Sequence, residues 1–144
     1  MKPHGTFARD SRPGEPPSRL HLSFVREPEQ VHRLRAIGAA QLRHWHLGRY
    51  VDTATLLISE LATNAIQYGD SDDVELCISY LEDTAEVRVE VDDKTSGDPK
   101  VRHPGTDEEN GRGLIIVEAL ADRWGRNGTS TWCCFAVVLD GAAG

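Results

Sequence analysis

Between Thr53 and Gly69 the chain carries one charged side chain, Glu60, and Asn64 follows it four residues later. A helix surrounded by water normally carries several charges, so this segment reads as covered on most sides. The spacing puts the carboxylate and the carboxamide on one strip, away from the Ile58, Ala62 and Ala65 face and flanked by Leu56 and Leu57. Covered polar groups need partners, because burying them unpaired is costly. Taken alone, the pair reads equally well as a solvent-facing polar stripe and as a covered pair that meets a ligand.

Asp93 is the second chemical feature. Strand period places it with Val87, Val89 and Val91 on the expected core face, while Asp92 faces the other way. A carboxylate at the inner edge of a strand, followed by Lys94-Thr95-Ser96-Gly97, can accept a hydrogen bond from a ligand amine. An aspartate that ends a strand and caps a turn is the commoner arrangement, and by itself the better reading. The third feature is Gly111-Arg112-Gly113 at the entry to an apolar run. Glycines admit a ligand close to the backbone, free N–H groups at a helix start attract phosphate, and Arg112 adds a cation. With 13 glycines among 144 residues, that triplet alone is weak.

The elements that must position these residues follow from periodicity. Residues 1–18, rich in Pro, Gly and charge, read as a disordered tail, and residues 19–144 as one domain. Leu20–Phe24 alternates like a half-buried strand. A helix is expected from Pro28, in its first turn, to about Trp45, with Val31, Leu34, Ile37 and Leu42 as its stripe. His44 and His46 read as surface residues at its end, before a turn at His46-Leu47-Gly48. A second helix spans Tyr50 to Tyr68, closed by Gly69 as a helix-ending glycine. Val74–Tyr80 and Val87–Val91 alternate around Glu82-Asp83-Thr84, the pattern of an antiparallel hairpin. From Lys94 to about Asn110 no periodicity survives, and a loop of that length in a compact domain usually has a job, such as a lid. A third helix starts at Gly113 and ends near Trp124-Gly125. Asn127-Gly128 reads as a turn, and Trp132–Leu139 as a final strand buried on both faces. The sum is α+β: a two-layer sandwich of a mixed, mostly antiparallel sheet with three helices on one face.

Composition excludes several classes of function. The formal charge of −7 argues against direct, sequence-independent nucleic-acid binding. No apolar run approaches a membrane span and the polar N-terminus lacks a signal peptide's apolar stretch, so the expected compartment is the cytoplasm. Cys77, Cys133 and Cys134 have no metal-ligand or disulfide spacing and read as small buried strand residues.

Order and spacing together are more specific than any single feature. Glu60-Leu61-Ala62-Thr63-Asn64-Ala65, Asp93-Lys94-Thr95-Ser96-Gly97 and Gly111-Arg112-Gly113-Leu114 occur in that order, and Ala121-Asp122-Arg123-Trp124-Gly125 and Thr131-x-Cys133 continue the pattern. This resembles the GHKL (Bergerat-fold) ATP-binding superfamily, and more closely its small anti-sigma regulatory kinase branch, over residues 20–140. The resemblance implies ATP and Mg²⁺ as ligands. It makes Asn64 the Mg²⁺ ligand, Glu60 the general base and Asp93 the acceptor for the adenine amino group. Gly97 would pass close to the base, Gly111 and Gly113 would admit the phosphates beside Arg112, and Thr131 would stand near Asp93. The implied protein is a serine/threonine protein kinase that phosphorylates an anti-anti-sigma partner, sequesters a sigma factor, or both, and that homodimerises. The alternative is a switch that binds nucleotide and a sigma factor without transferring phosphate. Two positions depart from the pattern: Thr95 replaces the first glycine of the Asp-x-Gly-x-Gly motif, and Glu108-Glu109-Asn110 stands where studied kinases of the branch carry a lid arginine.

Overall fold

The computed structural model describes residues 18–95 and 115–139 of the chain. Strand β1 (Arg19–Val25) leads into helix α1 (Gln30–His44), a 3₁₀ turn (Gly48–Tyr50) and helix α2 (Val51–Tyr68). Strands β2 (Asp73–Leu81) and β3 (Glu86–Asp92) form the expected hairpin. After a short helical segment at residues 115–120 come β4 (Arg123–Asn127) and β5 (Ser130–Ala136). The sheet order is β1-β2-β3-β5-β4, and each of its four pairings is antiparallel. The fold is α+β as the periodicities require, with no parallel pair among the described residues. The tail expected over residues 1–18 lies outside them except for Ser18.

One sheet face and the helices share a single core. Leu34 and Leu42 of α1, and Leu57, Ile58 and Leu61 of α2, are fully buried against Leu76, Ile78, Val87 and Val89, with Val117 added from the 115–120 segment. Gly38 brings α1 close to α2, since a Cβ there would lie 2.4 Å from the end of Ile58. Helix α1 starts at Gln30, with Pro28 in the turn before it rather than in its first turn. It ends with the Leu47 N–H on the Leu42 carbonyl (2.9 Å) and the His46 N–H on Arg43 (3.1 Å), which closes a Schellman motif. His46 takes the left-handed position, φ 62°, that a glycine usually occupies there.

The opposite sheet face is polar and cross-linked by ion pairs. Arg88 meets Glu90 at 3.3 Å, Arg123 meets Glu86 at 2.7 Å, and Glu75 holds both Lys94 (2.6 Å) and His21 (3.1 Å). The guanidinium groups of Arg88 and Arg123 lie over the Trp132 ring, 4.6 and 5.8 Å from its centre. Gly125, opposite it on β4, leaves room for the ring. Cys134 is buried on this same face between its cross-strand neighbours Arg88 and Arg123. Cys133, on the core side, has its thiol pushed up to about 12 by burial. On β5, burial on both faces is confined to Cys133, Cys134 and Phe135, and the strand begins at Ser130 and ends at Ala136.

The third helix ends earlier than its sequence indicates. Helical geometry ends at 120, and the residues expected to finish it belong to β4 instead. Asp122 makes the break: its N–H bonds to the Cys134 carbonyl (2.8 Å), and its carboxylate accepts from the Ala136 N–H (2.7 Å). Arg123–Asn127 then runs back along β5 through a turn containing Gly128 at φ 65°.

Helix α2 is held at its C-terminal end from outside. The Arg26 guanidinium, just past β1, donates to the Ile66 carbonyl and to the Ser71 carbonyl, both at 3.0 Å. A cation at the carbonyl end of a helix satisfies orphan acceptors and complements the helix dipole. Arg26→Met keeps the apolar stem and removes these donors, so unfolding free energy should fall by about 1–2 kcal/mol. Denaturant titration reads that loss, and unchanged stability would show that water replaces the guanidinium without cost.

Candidate functional site

Asp93 lies one residue beyond β3, yet its N–H still bonds to the Thr129 carbonyl at 3.1 Å, which preserves the strand alternation. Its side chain therefore points to the core face, where the residue is 3% exposed, the one buried charged residue among those described. Oδ1 accepts the Thr95 N–H at 2.9 Å, and Oδ2 stands 3.5 Å from Nη2 of Arg126. Nη1 of the same guanidinium donates to Thr131 Oγ1 at 2.7 Å. The structure thus brings Asp93 and Thr131 together, joined by an arginine from β4.

The two aspartates divide between the faces as their alternation requires. Asp92 accepts from Thr129 Oγ1 (2.6 Å) and from the Lys94 N–H (2.9 Å) on the outer side. Lys94 adopts φ 53°, a left-handed conformation unusual for a side chain with a Cβ, held by its ammonium on Glu75 and Asp73. That turn carries the Thr95 N–H back onto Asp93. Asp93 is thus a turn cap through Oδ1, and its Oδ2 lies on the side of Arg126.

Helix α2 approaches this carboxylate closely. A Cβ on Gly69 would lie 2.5 Å from the Ala65 carbonyl oxygen, 3.2 Å from Asp93 Cβ and 3.4 Å from Thr95 Oγ1. Gly69 is extended, at φ −76° and ψ 160°, so its glycine serves close approach and not the left-handed helix end anticipated from sequence. The Asp70 N–H donates to Thr95 Oγ1 at 3.3 Å. Thr95, in the place of a motif glycine, thereby ties the loop to the end of α2.

Asn64 and Glu60 lie on α2 about 7 and about 13 Å along its axis from Gly69, from a rise of about 1.5 Å per residue. Both are partly exposed. Burial pushes the Glu60 carboxyl above the ordinary glutamate range, the direction that suits a proton acceptor working near neutrality. One helix therefore carries the carboxylate and the carboxamide along its length and abuts a buried carboxylate at its end. Gly97, Gly111, Arg112 and Gly113, with Glu108 and Glu109, lie outside the described residues, as does most of the loop expected to be a lid.

The donor set fits the implied ligands. Mg²⁺ keeps several waters and takes few protein oxygens when it also binds phosphates, so a single carboxamide such as Asn64 suffices on the protein side. Among the described residues, no three His, Cys, Asp or Glu side chains gather to hold a metal by themselves. No described helix is long and apolar enough to cross a membrane. Sequence reasoning missed Arg126, Gly69 as a contact, and the left-handed Lys94. The signal for Arg126 was present: folding the chain back at the Asn127-Gly128 turn sets Arg126 opposite Thr131.

Two outcomes follow. Gly69→Ala should cost about 1–3 kcal/mol by overpacking, lower the melting temperature by several degrees and disturb Asp93. Unchanged melting would show that α2 and the loop separate freely. For Glu60 the raised folded pKa means that folding penalises the charged form, so stability is fully present below the ordinary value of 4.5 and is lost as pH rises through the folded pKa. Glu60→Gln should therefore be the more stable protein at pH 7–8, with the gap closing below about pH 4. Denaturation across that range checks the sign, and a constant gap would refute desolvation as its cause.

A comparison with curated proteins finds no match. The family model described as a histidine kinase-like ATPase domain matches residues 24–135, from the end of β1 through β5. That span covers most of the chain and includes the helix with Glu60 and Asn64, the Asp93 turn and the β4–β5 hairpin. The five-stranded antiparallel sheet with helices is consistent with that fold, so the chain belongs to the histidine kinase-like ATPase family, of the GHKL superfamily, and carries an ATP-binding type of domain.

Proposed function

We propose that this protein is an ATP- and Mg²⁺-dependent anti-sigma regulatory factor that acts as a serine/threonine protein kinase on an anti-anti-sigma partner. The observation that carries the reading is the juxtaposition along α2: Asp93 buried against Gly69 at one end, and the desolvated Glu60 a turn before Asn64 farther along. In this reading Asp93 accepts from the adenine amino group, with Thr131 beside it. Asn64 holds Mg²⁺ through its side-chain oxygen. Gly97 borders the base, and Gly111, Arg112 and Gly113 receive the phosphates.

When bound, ATP supplies the γ-phosphoryl group, and Mg²⁺ offsets its charge. Glu60 takes the proton of the seryl or threonyl hydroxyl as its oxygen bonds to phosphorus, and the bond to the β-phosphate breaks to release ADP. Partial burial makes Glu60 a stronger base than an exposed glutamate. Orientation of the reacting groups by the helix supplies the protein's share of the acceleration.

Glu60→Gln keeps size and a hydrogen-bonding oxygen while removing basicity. Nucleotide affinity should stay within a few-fold, and radiolabel transfer from γ-labelled ATP to a co-purifying partner should fall by ~10²–10⁴. Asn64→Ala should weaken ATP binding in Mg²⁺ and change it little in EDTA, as read by calorimetry. Glu108-Glu109, acidic residues that repel a γ-phosphate, favour the second reading, a sigma-binding switch without transfer. ATP-dependent complex formation with no labelled partner from the wild type would select that switch. Loss of ATP binding or folding in Glu60→Gln would make Glu60 structural.

A further inference from the structure

We infer that Arg126 is a second base-reading residue, whose guanidinium donates to a ring nitrogen beside the amino group that Asp93 accepts. The inference rests on the adenine-nucleotide reading above and adds to it a specificity determinant from β4. Three observations carry it. Arg126 lies opposite Thr131 on the core side of the sheet, the side to which Asp93 also points. Its Nη1 is anchored on Thr131 Oγ1 at 2.7 Å, which tethers that end of the guanidinium. Its Nη2 stands 3.5 Å from Asp93 Oδ2, well beyond the ~2.7–2.9 Å of a tight charge-assisted hydrogen bond.

The pair is therefore close enough to be read as one unit and too loose to be a closed bidentate ion pair. It presents an acceptor and a donor side by side where the buried Asp93 meets the partly exposed Arg126. An adenine edge presents the complement: the amino group is a donor, and the ring nitrogens on either side of it are acceptors. Arginine suits this task because its donors form a rigid planar fork that one hydrogen bond can orient for the next. With Oδ1 of Asp93 accepting from the Thr95 N–H, the oxygen on the Arg126 side is the one placed to share the amino group.

The test needs no turnover. Wild type, Arg126→Met and Arg126→Gln are titrated by calorimetry with ATP, 1-deaza-ATP and 7-deaza-ATP, with melting curves run in parallel. The two analogues each lack one ring acceptor next to the amino group. Wild type should bind one of them roughly 10- to 100-fold more weakly than ATP. Arg126→Met should bind ATP more weakly by a similar factor and lose that discrimination, and Arg126→Gln, which keeps an amide donor, should retain part of it. Should Arg126→Met fail to fold, the partial loss in Arg126→Gln carries the same comparison. The proposal is overturned if an Arg126 variant binds ATP as tightly as wild type or tighter, which would make the guanidinium a brace or an obstruction. It is equally overturned if the analogue penalty survives undiminished in the variants. A wild type that binds no adenine nucleotide overturns the ATP reading and this one together, whereas unchanged profiles in the variants overturn this one alone.

Discussion

A carboxylate that is almost wholly buried must be surrounded by donors, and Asp93 makes that demand on every neighbouring element. Its own N–H remains in register with Thr129, so β3 and the β4–β5 turn are fixed relative to each other. Its side chain takes the Thr95 N–H, which obliges Lys94 to turn left-handed. Its Cβ packs against Gly69, which fixes where α2 can end. Arg126 supplies the facing charge from the edge strand. Removing one partner from such a group leaves the charge under-compensated, which costs more than the lost bond itself. The arrangement is thus cooperative: three separate stretches of chain converge because one side chain requires them.

What could be read in advance were the regions where side-chain period and burial coincide. Helix α2 and the β2–β3 hairpin emerge within a residue or two of their observed ends, because Ala54, Ile58, Leu61 and Ala65 repeat at helical spacing and Val87, Val89 and Val91 at strand spacing. The strip holding Glu60 and Asn64, and the inward face of Asp93, follow from the same two periods. β4 was hidden because Arg-Trp-Gly-Arg-Asn has one large apolar residue and no alternation. Its pairing is dictated by β5 and by the Asp122 break, which are tertiary facts. Arg126 was lost with it. Gly69 shows a subtler gap: a helix-ending glycine and a glycine needed for close approach look identical in sequence, and only the position of Asp93 tells them apart.

Helix α2 also gathers constraints that lie far apart in the chain. Arg26, from the end of β1, holds the carbonyls at its last turn, while Thr95, from beyond β3, binds the N–H of Asp70. The helix end is fastened from both directions, so the spacing between Gly69 and the Glu60–Asn64 strip behaves as a rigid length. For a domain of an ATP-binding type, such rigidity limits the ordering left to be done on binding.

The outer face of the sheet has a different consequence. Its charges are paired within and between strands, and its tryptophan carries two guanidinium groups over its ring. A second sheet approaching that side would have to strip water from paired ions before gaining any apolar contact, an exchange that rarely repays itself. The domain can leave half of its sheet wet without inviting the stacking that a bare valine-rich surface would promote. Any partner that approaches that side meets a cost of desolvating charges before it meets a carbon surface.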